Sequence, residues 1–247
     1  QLTSAALYLG ANNNEIPNVS VANGDWNQSA TWSKAAVPVC TDNVVINHTV
    51  TLTSNGMNAN KLTINSGGTL SQTSGTLIVG CTNNNSEFLI NLGTYTMSGG
   101  TLTVNGKFTN NNPAGSLIQS GGDIIVDGNS GTLATSINGH IVDMYALDSI
   151  KMNLTGGTFT VVDPTLSATT GNGAFKVYPT NAFTTGADWT LKLGDGISTN
   201  PGGNSDGFLI NLTNTNSMVI GGDVIVNTQG ATWAANRHVT TANAVGM

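Results

Sequence analysis

The chain has 247 residues, of which 38% are hydrophobic and only 8% charged, with a formal net charge of −6. Its seven Lys and Arg residues form no patch able to neutralise phosphates, which argues against a nucleic-acid partner. No run approaches the roughly 18 apolar residues of a membrane-spanning helix, so membrane insertion is not expected.

Residues 1–23 hold one short apolar run, Ala5-Ala6-Leu7-Tyr8-Leu9, expected to be a strand that covers the first coil of a stack, since an uncovered sheet edge invites pairing. Gln1-Leu2-Thr3 carries neither an initiator Met nor a charged, apolar leader, the expectation for an exported protein whose signal peptide has been removed.

From Gly24 the pattern changes. Gly24-Asp25-Trp26, Thr31-Trp32-Ser33 and Val37-Pro38 lead into Asp42-Asn43-Val44-Val45-Ile46 and His48-Thr49-Val50-Thr51-Leu52. A turn-rich break then precedes Lys61-Leu62-Thr63-Ile64-Asn65, the turn Ser66-Gly67-Gly68 and a restart at Thr69-Leu70. Apolar and polar residues alternate with period two between glycine turns, the mark of short half-buried strands, and almost no helix is expected. Trp26, Trp32 and Pro38 are expected to plug the apolar end of the first coil, a better use of the two rings than sugar stacking.

This order of motifs resembles the domain named for its eight glycines, and the related solenoid starts of large secreted surface proteins of the Bacteroidetes. The resemblance covers roughly the first third of the chain. It implies a right-handed β-helix exported to the cell surface or medium, in a family with many adhesins and polysaccharide-binding proteins. Hydrolytic relatives carry acidic and basic groups at a cleft, and no such set can be placed here. The expected fold is therefore all-β: one right-handed parallel β-helix (β-solenoid) with irregular loop insertions over residues 1–247. Its parts are an N-terminal strand and cap segment (1–23), regular coils (24–139), loop-rich coils (140–206) and final coils (207–247).

Cys40 and Cys81 are the only cysteines. In an exported protein the default is a disulfide, and their spacing is close to two solenoid coils of about 20 residues each. Such a bridge would tie the cap to an early coil; two free buried thiols are the alternative.

The chain also carries an internal repeat. A double glycine precedes an alternating strand at Gly67-Gly68, Gly99-Gly100, Gly121-Gly122, Gly156-Gly157 and Gly221-Gly222, at irregular intervals that argue for coils with insertions. A second echo pairs Phe88-Leu89-Ile90-Asn91-Leu92 with Phe208-Leu209-Ile210-Asn211-Leu212. The least regular zone runs from His140 to Asp206, where Ser167 to Gly173 and Ser198 to Ser205 are loops by composition. Loops on a rigid scaffold are where binding usually resides, although these are equally readable as inert insertions.

Candidate chemistry is sparse. Of the 11 Asp, Asp123 and Asp127 fall on one strand face and Asp123 and Asp223 are placed to stack across coils, but Asp after Gly-Gly reads more simply as a turn residue. Asp195 and Asp206 bracket an oxygen-rich segment, a weak calcium candidate without the spaced acidic triplet of a helix-loop-helix site. His48, His140 and His238 have no metal-ligand spacing, and no Gly-x-Ser-x-Gly elbow appears, so no cofactor, transition metal or catalytic residue is assigned. Trp189, Trp233, Tyr95, Tyr145 and Tyr178 are the aromatic candidates for ligand contact. Asp148-Ser149-Ile150 resembles the O-glycosylation acceptor of the Bacteroidetes, which implies a glycan on Ser149.

The expected function is structural or adhesive: a secreted, extracellular β-solenoid at the cell surface, partnered by itself or by another surface protein, and capable of end-to-end assembly into a fibre. The alternative is a polysaccharide-binding or polysaccharide-degrading β-helix whose site lies on the 140–206 loops.

Overall fold

The computed structural model describes residues 16–81, 87–110, 115–127, 142–144, 151–162, 175–177, 183–194, 209–212, 218–226, 240–241 and 245–246. Period-two alternation becomes strands that bury every second side chain: Asn43–Ile46, Thr49–Leu52, Lys61–Ile64, Thr69–Gln72, Thr94–Met97 and Thr101–Val104 all do so. Helix among the described residues is a single 3₁₀ turn, Ser29–Thr31.

Three faces are visited in rotation. The first is a nine-stranded sheet, in spatial order Asn18–Val19, Asn43–Ile46, Lys61–Ile64, Glu87–Asn91, Lys107–Asn110, Val142–Met144, Phe175–Val177, Leu209–Leu212 and Thr240–Thr241. Every pairing in it is parallel. From Asn43–Ile46 onward, the chain crosses a second face and then a third between successive members. The second holds Gly24–Asp25, Thr49–Leu52, Thr69–Gln72, Thr94–Met97 and the first half of Ser116–Val126. The third holds Met57–Ala59, Thr76–Val79, Thr101–Val104, the second half of Ser116–Val126, the end of Met152–Val161, Asp188–Leu193 and Val224–Val226. Ser116–Val126 and Met152–Val161 run through the corner between these two faces, so one eleven-stranded sheet bends there. A three-stranded sheet, Phe183–Thr184, Met218–Val219 and Val245–Gly246, continues the second face: Gly186 N–H donates to Leu154 C=O at 2.7 Å.

Register accounts for the irregular glycine intervals. Thr49, Thr69, Thr94 and Ser116 are successive partners on the second face, whereas Leu117 next pairs with Met152. The added chain enters at one recurring position: segments 127–141, 162–174, 194–208 and 227–239 each separate a third-face strand from the next strand of the nine-stranded sheet. The five double glycines also divide into two sets. Gly67-Gly68 turns the chain from the first face to the second, whereas Gly99-Gly100, Gly121-Gly122, Gly156-Gly157 and Gly221-Gly222 lie between the second and the third. The two Leu-Ile-Asn-Leu segments occupy the same face, in Glu87–Asn91 and Leu209–Leu212.

Inward side chains stack in columns along the axis. Val50, Leu70, Tyr95, Leu117 and Met152 form one, and Leu77, Leu102, Ile124, Phe159 and Leu191 another, all buried in one continuous core. Each such aliphatic or aromatic side chain contributes about 1.5–3 kcal/mol on burial. Phe108 and Phe159 meet edge to face across the core, 5.8 Å between centroids.

The start of the stack is locked by side chains. Trp26 and Trp32, 1% and 2% exposed, pack edge to face at 5.1 Å, and Trp32 Nε1 donates to Trp26 C=O at 2.7 Å. Pro38 is buried beside them in sequence, and Asp42 ties the approach: its Oδ1 pairs with Lys34 Nζ at 2.6 Å and its Oδ2 accepts from Val39 N–H. Cys40 and Cys81 are joined by a disulfide, 5.3 Å between Cα atoms. It connects the chain entering Asn43–Ile46 to the chain leaving Thr76–Val79, spanning two full circuits.

Candidate functional site

Two features rise above generic strand packing. The first is a buried polar device at the corner between the second and third faces. Gln72 and Gln119, both fully buried, end second-face strands three residues before the corner glycines Gly75 and Gly122. Gln72 Nε2 donates to Gly75 and Thr101 carbonyls at 3.3 and 3.1 Å; Gln119 Nε2 donates to Gly122 and Thr158 carbonyls, both at 3.1 Å. Each Oε1 accepts from an aromatic group: Tyr95 Oη donates to Gln72 at 2.7 Å and Trp189 Nε1 to Gln119 at 2.9 Å. The amides are thus satisfied inside the core, where an orphaned group would cost about 1–3 kcal/mol. Burial pushes the Tyr95 phenol far above its ordinary range.

Glycine is required at this corner. Gly122 and Gly157 have φ of +74° and +90°, and a Cβ on Gly157 would lie 2.4 Å from the Gly122 carbonyl oxygen one level below. These features hold the scaffold together. They offer nothing to a ligand.

The second feature is a surface groove of about 610 Å³ on the outer side of the third face. It is lined by Asp123, Ile125, Thr158, Thr160, Thr190, Lys192 and Ile225. Strand alternation puts these positions on the outward phase, where Thr160 is buried between its neighbours, and parallel register aligns them in two columns. Asp123, Thr158 and Thr190 are successive register partners, as are Ile125, Thr160, Lys192 and Ile225. Asp223 extends the first column, since Leu191 N–H donates to its carbonyl. The groove joins hydroxyls, one carboxylate, one ammonium and two apolar side chains on rigid strands. It can hydrogen-bond and orient a ligand.

It does not present a hydrolytic pair. Asp123 and Asp223 share a column, stacked across coils as expected, but stand three strand spacings apart, about 14 Å, where a glycosidase needs about 5–10 Å. Among the described residues no group of three or more His, Cys, Asp and Glu is gathered to hold a metal ion. His48 lies at the edge of the cap, its Nδ1 2.8 Å from the Ser20 carbonyl.

No protein-family model, curated protein or solved structure matches this chain.

The other sequence candidates sort clearly. Tyr95 and Trp189, expected as ligand contacts, are instead wholly buried; each lies on the inward phase of its strand and finds a glutamine for its polar atom. Asp195, Asp206, Ser149, Trp233, Tyr145, Tyr178, His140 and His238 lie outside the described residues, as do the loop stretches 167–173 and 198–205. Within the 140–206 zone the groove uses Thr158, Thr160, Thr190 and Lys192, all on regular strands. Sequence reasoning missed this column pair. Aligning Asp123-Ile-Ile-Val, Thr158-Phe-Thr-Val, Thr190-Leu-Lys-Leu and Asp223-Val-Ile-Val by their apolar phase would have exposed it, but the third lacks the double glycine used as the marker.

Proposed function

We propose that this chain is an exported, right-handed β-solenoid with a structural and adhesive role at the cell surface. The observation that carries the reading is the continuous parallel pairing of the nine-stranded sheet, from Asn18–Val19 to Thr240–Thr241, with two further faces visited between its strands. Parallel strands joined by crossovers are right-handed in about 98% of cases. A stack of this kind is a rod about 38 Å long, from eight strand spacings of about 4.8 Å, and its terminal strands are the edges through which copies join end to end. Export is supported by the Cys40–Cys81 disulfide, which persists in oxidising compartments. Among the described residues no helix is long and apolar enough to cross a membrane.

Negative-stain electron microscopy over a range of protein concentrations tests the reading. Fibres with an axial repeat near nine strand spacings, about 43 Å, support end-to-end assembly. Dispersed rods at every concentration remove the fibre and leave the rod, whereas particles without a rod axis overturn the solenoid itself.

The groove favours a second reading, contact with a polysaccharide. The carboxylate spacing speaks for binding rather than cleavage.

A further inference from the structure

We propose that the third-face groove is a binding site for a neutral, linear polysaccharide that lies along the stacking axis. The proposal deepens the polysaccharide reading above, on which it rests, by fixing the place, direction and charge class of the ligand. The groove crosses the strands from Asp123 to Ile225, three spacings or about 14 Å. Its 610 Å³ lies inside the roughly 300–1,000 Å³ of ligand clefts. A chain running along the axis meets one hydrogen-bonding side chain per strand in the first column: Asp123, then Thr158, then Thr190.

The chemistry of those groups selects hydroxyls. The Asp123 carboxylate accepts from paired hydroxyls, the threonines donate or accept, and Lys192 donates from the second column. Ile125 and Ile225 border the groove at opposite ends, the latter 44% exposed, and supply apolar surface for the C–H faces of sugar rings. Charge excludes the acidic alternatives. Asp123 within the groove and Asp223 beyond Thr190 flank the single Lys192, on a chain of net charge −6, so a polyanion is repelled at both ends. A rigid, pre-formed strand surface also requires no ordering on binding.

Affinity electrophoresis of the intact protein through gels containing a soluble neutral glucan, mannan or xylan, with a polyuronate as the acidic comparator, tests this. The expected result is retardation by at least one neutral polymer and none by the polyuronate. Lys192→Met and Thr158→Trp, both outward-facing, should each weaken that retardation at least tenfold, while Thr94→Val on the second face leaves it unchanged; far-UV circular dichroism establishes that each variant is folded. Absence of retardation by all three neutral polymers overturns the proposal. So does stronger retardation by the polyuronate, or retardation that both groove variants retain. Rods seen by microscopy without glycan binding sink the groove site alone. Binding by particles that are not rods sinks the solenoid reading alone.

Discussion

The Gln119–Trp189 hydrogen bond is the best place to test whether the corner device stabilises the stack as its geometry implies. Gln119→Met keeps the side-chain length and removes the amide. At the neighbouring level the equivalent residue is already Met97, and the Gly100 carbonyl there accepts from Asp123 N–H at 2.9 Å, so the corner itself does not require the amide. The loss therefore falls mainly on Trp189 Nε1, left buried without its acceptor. That costs about 2 kcal/mol, within the range of about 1–3 for an orphaned buried donor. Trp189→Phe costs about 2–3 kcal/mol, from the orphaned Gln119 oxygen and the smaller ring. In the double variant both polar atoms are gone. Its cost should then fall short of the sum of the single ones by about 1–2 kcal/mol, the signature of a coupled pair. Because a linear stack need not unfold in one step, native-state hydrogen exchange of residues 158–161 and 190–193 should accompany urea denaturation. Costs that add to within about 0.5 kcal/mol would refute the coupling.

The same geometry predicts two more outcomes. Reducing Cys40–Cys81, or replacing both by Ala, should cost about 4 kcal/mol by loop closure over their 41-residue separation. In a linear stack that loss should appear as faster exchange in residues 43–79 while residues 101–126 keep their protection; uniform loss would contradict nearest-neighbour stacking. Tyr95 supplies a pH test. Burial raises its folded-state pKa, so the folded form keeps a proton that the unfolded chain surrenders. The stabilising contribution is complete below about pH 10 and falls above it by roughly 1.4 kcal/mol per pH unit, a slope that Tyr95→Phe should remove; an identical alkaline stability profile in the variant would count against it.

The strand phase was legible because period-two alternation reports burial directly: Val50 and Leu52 alternate with threonines in sequence and both are buried, as are Val44 and Ile46. Trp26 and Trp32, expected to serve packing rather than sugar stacking, are both buried, as befits two large apolar rings placed before the first strands. The cysteine spacing, near two coils, matched a bridge that spans two circuits. What alternation cannot report is height in the stack. Trp189 and Tyr95 looked like free aromatics because their glutamine acceptors are 70 and 23 residues away in sequence, at distances set by insertions of unequal length.

The groove was hidden by the same ignorance of height. Each of its side chains is an ordinary outward residue on its own strand, where a threonine needs no explanation beyond its fit to a pleated surface. Only register turns Asp123, Thr158 and Thr190 into one column and places Lys192 between Ile125 and Ile225 on the next. Register in turn depends on the corner, where positive-φ glycines at Gly75, Gly100, Gly122 and Gly157 leave no room for a Cβ and so hold successive levels in phase. A one-residue slip there would turn the inward set of a strand outward. The corner glycines and the buried glutamines beside them therefore act on the groove without touching it: they fix the phase that aligns its two columns.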